Sequence, residues 1–333
     1  MTRDNEAAAL AYAALQPDDI MQALEALSFR CDGRFLALNS YENRVYRVGI
    51  DDEPPIVAKF YRPARWSDAA ILEEHKFARE LFDNEIPVVA PQKIAGATLH
   101  HSGQFRFAVY AWHGGRAPDL DNLDLSRQLG RFIARIHRVG QTTEFRHRPT
   151  IDIDSYGVES RDYLLQQDFI PNDLWPAYES VSTQVLDGIE ACFARAGAVS
   201  YLRLHGDFHP GNVLVARDQL HIVDLDDARR GPAVQDLWMF LSGDKIEQEP
   251  QLSALLEGYE QFHDFDAREL HLIEALRSLR IMHYAAWIAR RWQDPAFRIA
   301  FPWFDTHRYW EDHVLSLREQ IALMQEPPLA WSA

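Results

Sequence analysis

The chain has 333 residues, 47% of them hydrophobic, enough to bury a large core as one big domain or two lobes. A formal net charge of −16 with no dense Lys/Arg cluster argues against nucleic acid as a partner, since such a surface repels phosphates, and would suit a cationic small molecule. The two cysteines, Cys31 and Cys192, lie too far apart in sequence to suggest a disulfide framework or a metal-ligand spacing, which points to a reducing compartment.

The opening MTRDNEAAALAYAAL carries acids and no continuous apolar stretch, unlike a secretory signal. No apolar run is long enough to span a bilayer, so a soluble cytoplasmic protein with no membrane partner is expected. Gln16–Leu27 suits a short helix with acids in its first turn. Arg44–Ile50 and Ile56–Tyr61 read as strands, and Asp51–Pro55 as the turn between them. Ser67 and Asp68 precede a helix that ends near Asp83, with Ile71, Leu72, Phe77, Ala78 and Leu81 as its apolar positions. Leu99–His100 and Phe105–Trp112 form a further strand pair around Ser102–Gly103. Beyond Gly114–Gly115 the pattern turns helical: Asp124–Val139, Trp175–Ala194, Leu252–Phe262, Ala267–Trp292 and Thr306–Met324. The reading is an α+β protein with a β-rich first lobe and a helical second lobe, joined near residues 111–116. Aromatic residues such as Trp287, Trp292, Trp303 and Trp310 recur at helical spacing, which is the habit of core residues; some could instead line a cleft.

The chemistry concentrates in Arg203–Asp227, RLHGDFHPGNVLVARDQLHIVDLDD. Asp207 is followed five residues later by Asn212. Two apolar runs follow, Val213–Val215 and Ile222–Val223, around turn residues Arg217–Gln219. The pattern predicts a loop and a short hairpin that folds Asp224 back toward Asn212. Phosphoryl transfer from ATP needs such a set: a carboxylate, Asp207, beside the acceptor hydroxyl, and hard oxygen ligands, Asn212 and Asp224, for Mg²⁺ on the phosphates. The protein-kinase catalytic loop has the same Asp-to-Asn spacing. Asp, Gly, Pro and Asn also favour plain turns, but His-Gly before the Asp and I-V-D after the hairpin weigh against that alternative. His205, His209 and His221 offer no helical His-x3-His pair for zinc. His205 is expected to pack or hydrogen-bond under the loop, and Asp236 to anchor it. Asp226 and Asp227 either tune the metal or face solvent.

Lys59, inside the apolar run VAKFY, is costly to bury without a partner. Glu73 and Glu74 in the next helix can supply one, and Glu74 is preferred. A strand lysine paired with a helix glutamate positions the nucleotide phosphates in kinases. Leu38–Val45, LNSYENRV, stands where a phosphate-covering loop would be; it holds no glycine, but Ser40 and backbone N–H groups can contact ATP.

LNSYENRVYR (38–47), VAKFYRP (57–63), ILEEHKFA (71–78), IPVVAP (86–91), RLHGDFHPGN (203–212), VDLDDARRGPAVQDLW (223–238) and RRWQDPAF (290–297) together resemble the bacterial stress response kinase A family. That family belongs with aminoglycoside phosphotransferases and choline kinases in the protein-kinase-like fold. The resemblance covers nearly the whole chain. It implies a bilobal α+β fold, with residues 1–113 as the nucleotide-binding lobe and 114–333 as the helical lobe carrying catalytic loop 203–227. It further implies a monomeric Ser/Thr protein kinase of the stress response, able to autophosphorylate, with ATP and Mg²⁺ as cofactors. Asp207 matches the proton acceptor, Asn212 and Asp224 the magnesium ligands, and Asp224 an active-site residue as well. Ser40 matches a position in the ATP loop and Lys59 the nucleotide lysine. Only LDDARRGPAVQ separates Asp224 from Asp236, with no long activation loop, which keeps a small hydroxylated substrate open beside a protein Ser/Thr acceptor.

Overall fold

The computed structural model describes residues 15–216 and 219–331. The N-terminal segment through Ala14, and Arg217 and Asp218 of the expected hairpin turn, lie outside them. In chain order the strands are β1 (Cys31–Ala37), β2 (Arg44–Ile50), β3 (Glu53–Phe60), β4 (His100–Ser102), β5 (Phe105–Ala111), β6 (Leu202–Leu204), β7 (Val213–Ala216), β8 (Gln219–Ile222) and β9 (Arg229–Gly231). The α-helices are α1 (Pro17–Glu25), α2 (Asp68–Asp83), α3 (Leu123–Gly140), α4 (Glu159–Leu165), α5 (Trp175–Ala196), α6 (Lys245–Tyr259), α7 (Ile273–Arg290), α8 (Pro295–Ala300) and α9 (His307–Leu323). No helix among the described residues is long and apolar enough to cross a membrane.

The chain divides into two compact units. The first comprises the described residues through Pro118, with Phe145–Arg148 and Gly211–Asp226. The second comprises Asp119–Glu144, Pro149–Pro210 and the described residues from Asp227 onward. A single cut between residues 113 and 114 would leave the β7–β8 hairpin with the helical part. The hairpin belongs to the first unit because its backbone is bonded there. Ile222 N–H donates to Pro87 O at 2.8 Å and Ile222 O accepts from Val89 N–H at 2.9 Å, while Arg116 and Val215 exchange both backbone bonds at 3.1 and 2.8 Å. Residues 146 and 147 are held by Glu73, whose carboxylate accepts their backbone N–H groups at 2.8 and 2.7 Å.

The first unit is built on an antiparallel sheet of order β1-β2-β3-β5-β4. One face packs Val48, Ile50, Ile56, Ala58, Phe60, Phe107 and Val109 under Ile20 and Leu24 of α1. Tyr61, Ala108, Leu99 and Ile71 of α2 form a second cluster. Strand β1 was not expected, because Asp32, Gly33 and Arg34 interrupt its alternation; the register shifts there, with Gly33 at φ 82°. The turn expected over Asp51–Pro55 is tighter. Asp52 takes φ 59°, Ile50 pairs directly with Glu53, and Pro54 and Pro55 sit in the irregularity before Ile56 pairs with Val48. Prolines lack the N–H a regular ladder would demand, so a bulge accommodates them.

The second unit is mainly helical. Helices α3 and α6 approach closely: a Cβ on Gly130 would fall on the Leu255 carbonyl, and one on Gly258 on the Arg127 carbonyl. Helix α6 begins earlier than its apolar pattern suggested. Asp244 and Glu247 form a capping box, with Glu247 N donating to Asp244 at 3.1 Å and Asp244 N to Glu247 at 2.9 Å. The single helix expected over Ala267–Trp292 is instead a 3₁₀ segment, Ala267–Leu272, followed by α7.

Candidate active site

In the first unit, β2, β3, β5 and the β7–β8 hairpin surround a cavity of about 370 Å³. Val45, Val57, Val89, Ala111 and Leu214 give it apolar walls; Ser40, Lys59, Glu74, Asn212 and Asp224 bring polar groups to it. An apolar slot with a few convergent polar groups suits a heteroaromatic base with a charged tail. Central-strand pairing fixes Lys59, which lies opposite Val45 on one side and Ala108 on the other. Its side chain is only 7% exposed, and its ammonium meets Asp224 at 2.7 Å and Asp226 at 3.3 Å. Burial alone would push the lysine down, but the two carboxylates outweigh it and hold Lys59 well above its ordinary value.

The hairpin delivers the two oxygen donors as the spacing required. Val213 pairs with Ile222, and Val223 N–H donates to Asn212 O at 3.0 Å, so the residues flanking the hairpin stay together. Asp224 then turns away at φ 62°, a left-handed conformation that Asp tolerates better than most residues. Lys59 engages one oxygen of its carboxylate, and the side chain is 48% exposed. Asp226 is buried and pairs with Arg65 as well as Lys59. Arg65 also lies 3.8 Å from Glu42, and Glu42 is 3.0 Å from Arg62. Ser40 accepts from Asn43 N–H at 3.4 Å, and Asn43 accepts from Arg62 N–H at 3.1 Å, which ties the 38–45 loop to the end of β3.

Glu74 lines the cavity but does not ion-pair with Lys59; the titratable side chain next to it is His75, at 3.7 Å. Burial pushes the Glu74 carboxyl up to about 7, against the pull of Lys59 and Arg148. His75 is pushed down to about 3, first by burial and then by Lys59, so it is neutral and sits between Tyr61 and Thr98 hydroxyls at 2.7 and 2.8 Å.

The second unit holds Asp207. Its loop is fixed from beneath by Asp236, which accepts from Gly206 N at 2.9 Å and His205 N at 2.8 Å, with His137 at 3.3 Å. Gln235 closes the turn by donating to Gly206 O at 3.0 Å. Gly206 has φ 85°, and a Cβ there would strike the Asp227 carbonyl, so both its conformation and its contact require glycine. His205 is buried and stacks on Phe208 at 4.6 Å. The Asp207 carboxylate bonds to Arg280 of α7 and lies 3.5 Å from His209. Burial would raise its pKa, but His209 and the Arg280 charge win and bring it to about 2. Asp227 pairs with Arg229 at 3.1 Å.

Thus Ser40, Lys59, Glu74, Asn212 and Asp224 share one cavity, and Asp207 stands on a braced loop of the second unit. Arg65, Arg148 and Arg280 were missed in the sequence: each is one arginine among many, on a segment remote from the residue it serves.

The sequence matches the phosphotransferase enzyme family (APH) over residues 34–273, and the chain belongs to that family. Among its relatives, Stress response kinase A of Escherichia coli strain K12 is 45% identical over 321 residues, covering 96% of this chain and 97% of that one. Serine/threonine protein kinase RdoA of Salmonella typhimurium strain LT2 is 42% identical over 96% of this chain and 97% of its own length. Solved structures with the same fold include amicoumacin kinase hAmiN in complex with AMP-PNP, Ca²⁺ and Ami, with TM-score 0.73 and 20% identity over 99% of this chain and 98% of that one. A microcompartment-associated aminopropanol kinase follows with TM-score 0.68 and 17% identity over 92% of this chain and 96% of that one.

Proposed function

We propose that the chain is an ATP-dependent serine/threonine protein kinase of the bacterial stress response, able to phosphorylate itself. The observation that carries this reading is near full-length similarity, at 42–45% identity, to relatives named as a stress response kinase and a Ser/Thr protein kinase. The cavity supports it with side chains for each end of the nucleotide: apolar walls for adenine, Lys59 and Ser40 for phosphates, Asn212 and Asp224 for a metal. Among the described residues no cluster of three or more His, Cys, Asp or Glu could hold a metal without help. Two hard oxygen donors fit Mg²⁺, which commonly completes its shell with phosphates and water. When bound, Mg²⁺ neutralises phosphate charge. Asp207 accepts the proton of the acceptor hydroxyl, Lys59 orients the nucleotide phosphates, and the raised Glu74 lies within the field of Lys59 without neutralising it. Because ATP is supplied in the cytoplasm, the protein works there, as a monomer.

The test is incubation with labelled ATP, alone and with a cell extract. Label on serine or threonine, lost in Asp207→Ala, supports the reading. Label only in small molecules favours the second reading, a metabolite kinase. The structural neighbours keep that alternative in view, since two of them are named as amicoumacin and aminopropanol kinases.

A further inference from the structure

The average acidity of the chain would suit a cationic acceptor, but the carboxylate of Asp207 is already met by a guanidinium. Arg280 bonds to its carboxylate, and His209 lies 3.5 Å from it. Arg229, buried beside them, pairs with Asp227 at 3.1 Å and covers the Tyr156 ring at 5.1 Å. Tyr156 in turn stacks on His283 of α7 at 4.1 Å. A cation approaching Asp207 would meet the Arg280 guanidinium, while Arg229 lies buried against Asp227.

Arg280 is the exposed member of this group. A guanidinium has five N–H donors in a planar fork. Asp207 engages Nη1, and no other described residue takes the rest. The side chain is 41% exposed, so solvent reaches it while its charge stays beside Asp207. One helical turn further along the same face of α7, Tyr284 is 40% exposed and stacks on Trp287 at 5.6 Å.

We propose that Arg280 is a specificity-determining residue that recognises an oxyanion, carboxylate or phosphate, carried by the acceptor next to the hydroxyl to be phosphorylated, and that releases Asp207 as it does so. Exchanging one carboxylate partner for another keeps a charge-assisted bond on the guanidinium and frees the Asp207 oxygen it covered. That oxygen then takes the hydroxyl proton, while the hydroxyl oxygen takes the γ-phosphoryl group and ADP leaves. For a protein substrate the preferred acceptor is a serine or threonine beside Asp, Glu or a phosphorylated residue, with Tyr284 offering an aromatic face to a neighbouring side chain. This inference rests on Asp207 being the proton acceptor of a protein kinase.

The test uses the full chain and one serine peptide made in four forms, with Glu, phosphoserine, Gln or Lys beside the acceptor. ADP release should give the Glu and phosphoserine peptides a KM about ten-fold below that of the Gln peptide, with Lys the poorest. Arg280→Met should raise the KM of the Glu peptide to that of the Gln peptide, and Arg280→Lys should restore part of the gap. A merely structural arginine would alter all four peptides alike. Equal KM values in the unsubstituted protein, or an undiminished gap in Arg280→Met, would overturn the role of Arg280. The wild-type comparison and Arg280→Lys decide the matter if Arg280→Met does not fold. Undiminished transfer by Asp207→Asn would instead overturn the proton-acceptor reading, and transfer to no peptide would overturn both.

Discussion

Asp207 is pulled in two directions, and the balance has consequences that can be measured. Burial favours its neutral form, yet His209 and Arg280 bring its pKa from 3.8 to about 2. A carboxyl with a lowered folded pKa stabilises the fold above its unfolded pKa and loses that contribution as pH falls through the folded one. About 2 kcal/mol of stability from this group should therefore disappear between pH 4 and pH 2. Asp207→Asn should flatten that part of a urea-denaturation series against pH. Asp224 makes the second expectation at this scale. Its Lys59 contact and left-handed backbone aim a carboxylate at the cavity, so Asp224→Ala should lower kcat by about 10³-fold or more in an ADP-release assay. The donor spacing was legible because Asp207, Asn212 and Asp224 lie on one short stretch and a hairpin has a readable signature. The partner of Lys59 was not. Sequence order suggested a glutamate of α2, whereas the ammonium meets Asp224 and Asp226 across 165 residues or more of chain, a closure only tertiary packing decides.

At the scale of elements, the loop that carries Asp207 depends on what lies beneath it. Asp236 is fully buried and accepts two backbone N–H groups of the loop, those of His205 and Gly206. Asp236→Ala leaves both unpaired, and a cost of about 3 kcal/mol or more in chemical denaturation is expected, with activity falling too because Asp207 loses its support. Helix packing offers a case in which activity is spared direct injury. Helices α3 and α6 meet through Gly130 and Gly258, and Gly258→Leu would press a side chain onto the Arg127 backbone. The expected loss is about 2 kcal/mol or more, read as a lower urea midpoint with unchanged slope. The glycine at 258 was silent in the sequence, since close helix approach leaves no local pattern. The start of α6 was also misjudged from apolar periodicity, although Asp244 and Glu247 carry the capping signal three residues apart.

For the whole molecule, the order of the chain and the order of its units differ. The described residues through Pro118 include the five-stranded sheet, Ser40, Lys59 and Glu74, and look like a nucleotide-binding lobe complete in itself. They are incomplete. The β7–β8 hairpin arrives from almost a hundred residues downstream, fills backbone bonds at Pro87, Val89 and Arg116, and brings Leu214, Asn212 and Asp224 to the cavity. A fragment ending at Pro118 would expose the apolar surface covered by Ile222 and Leu214, leave those backbone groups to water, and lack both proposed metal ligands. Ligand that binds only the folded state stabilises it by about 2.7 kcal/mol at a hundred times Kd. AMP-PNP with Mg²⁺ should therefore raise the melting temperature of the full chain and do nothing for the fragment. Lys59→Met should shrink the shift, and Asp207→Asn, on the other unit, should leave most of it. A fragment of residues 1–118 that binds the nucleotide as tightly as the full chain would mean that the hairpin contributes nothing to the site, and with it that Asn212 and Asp224 hold no metal there.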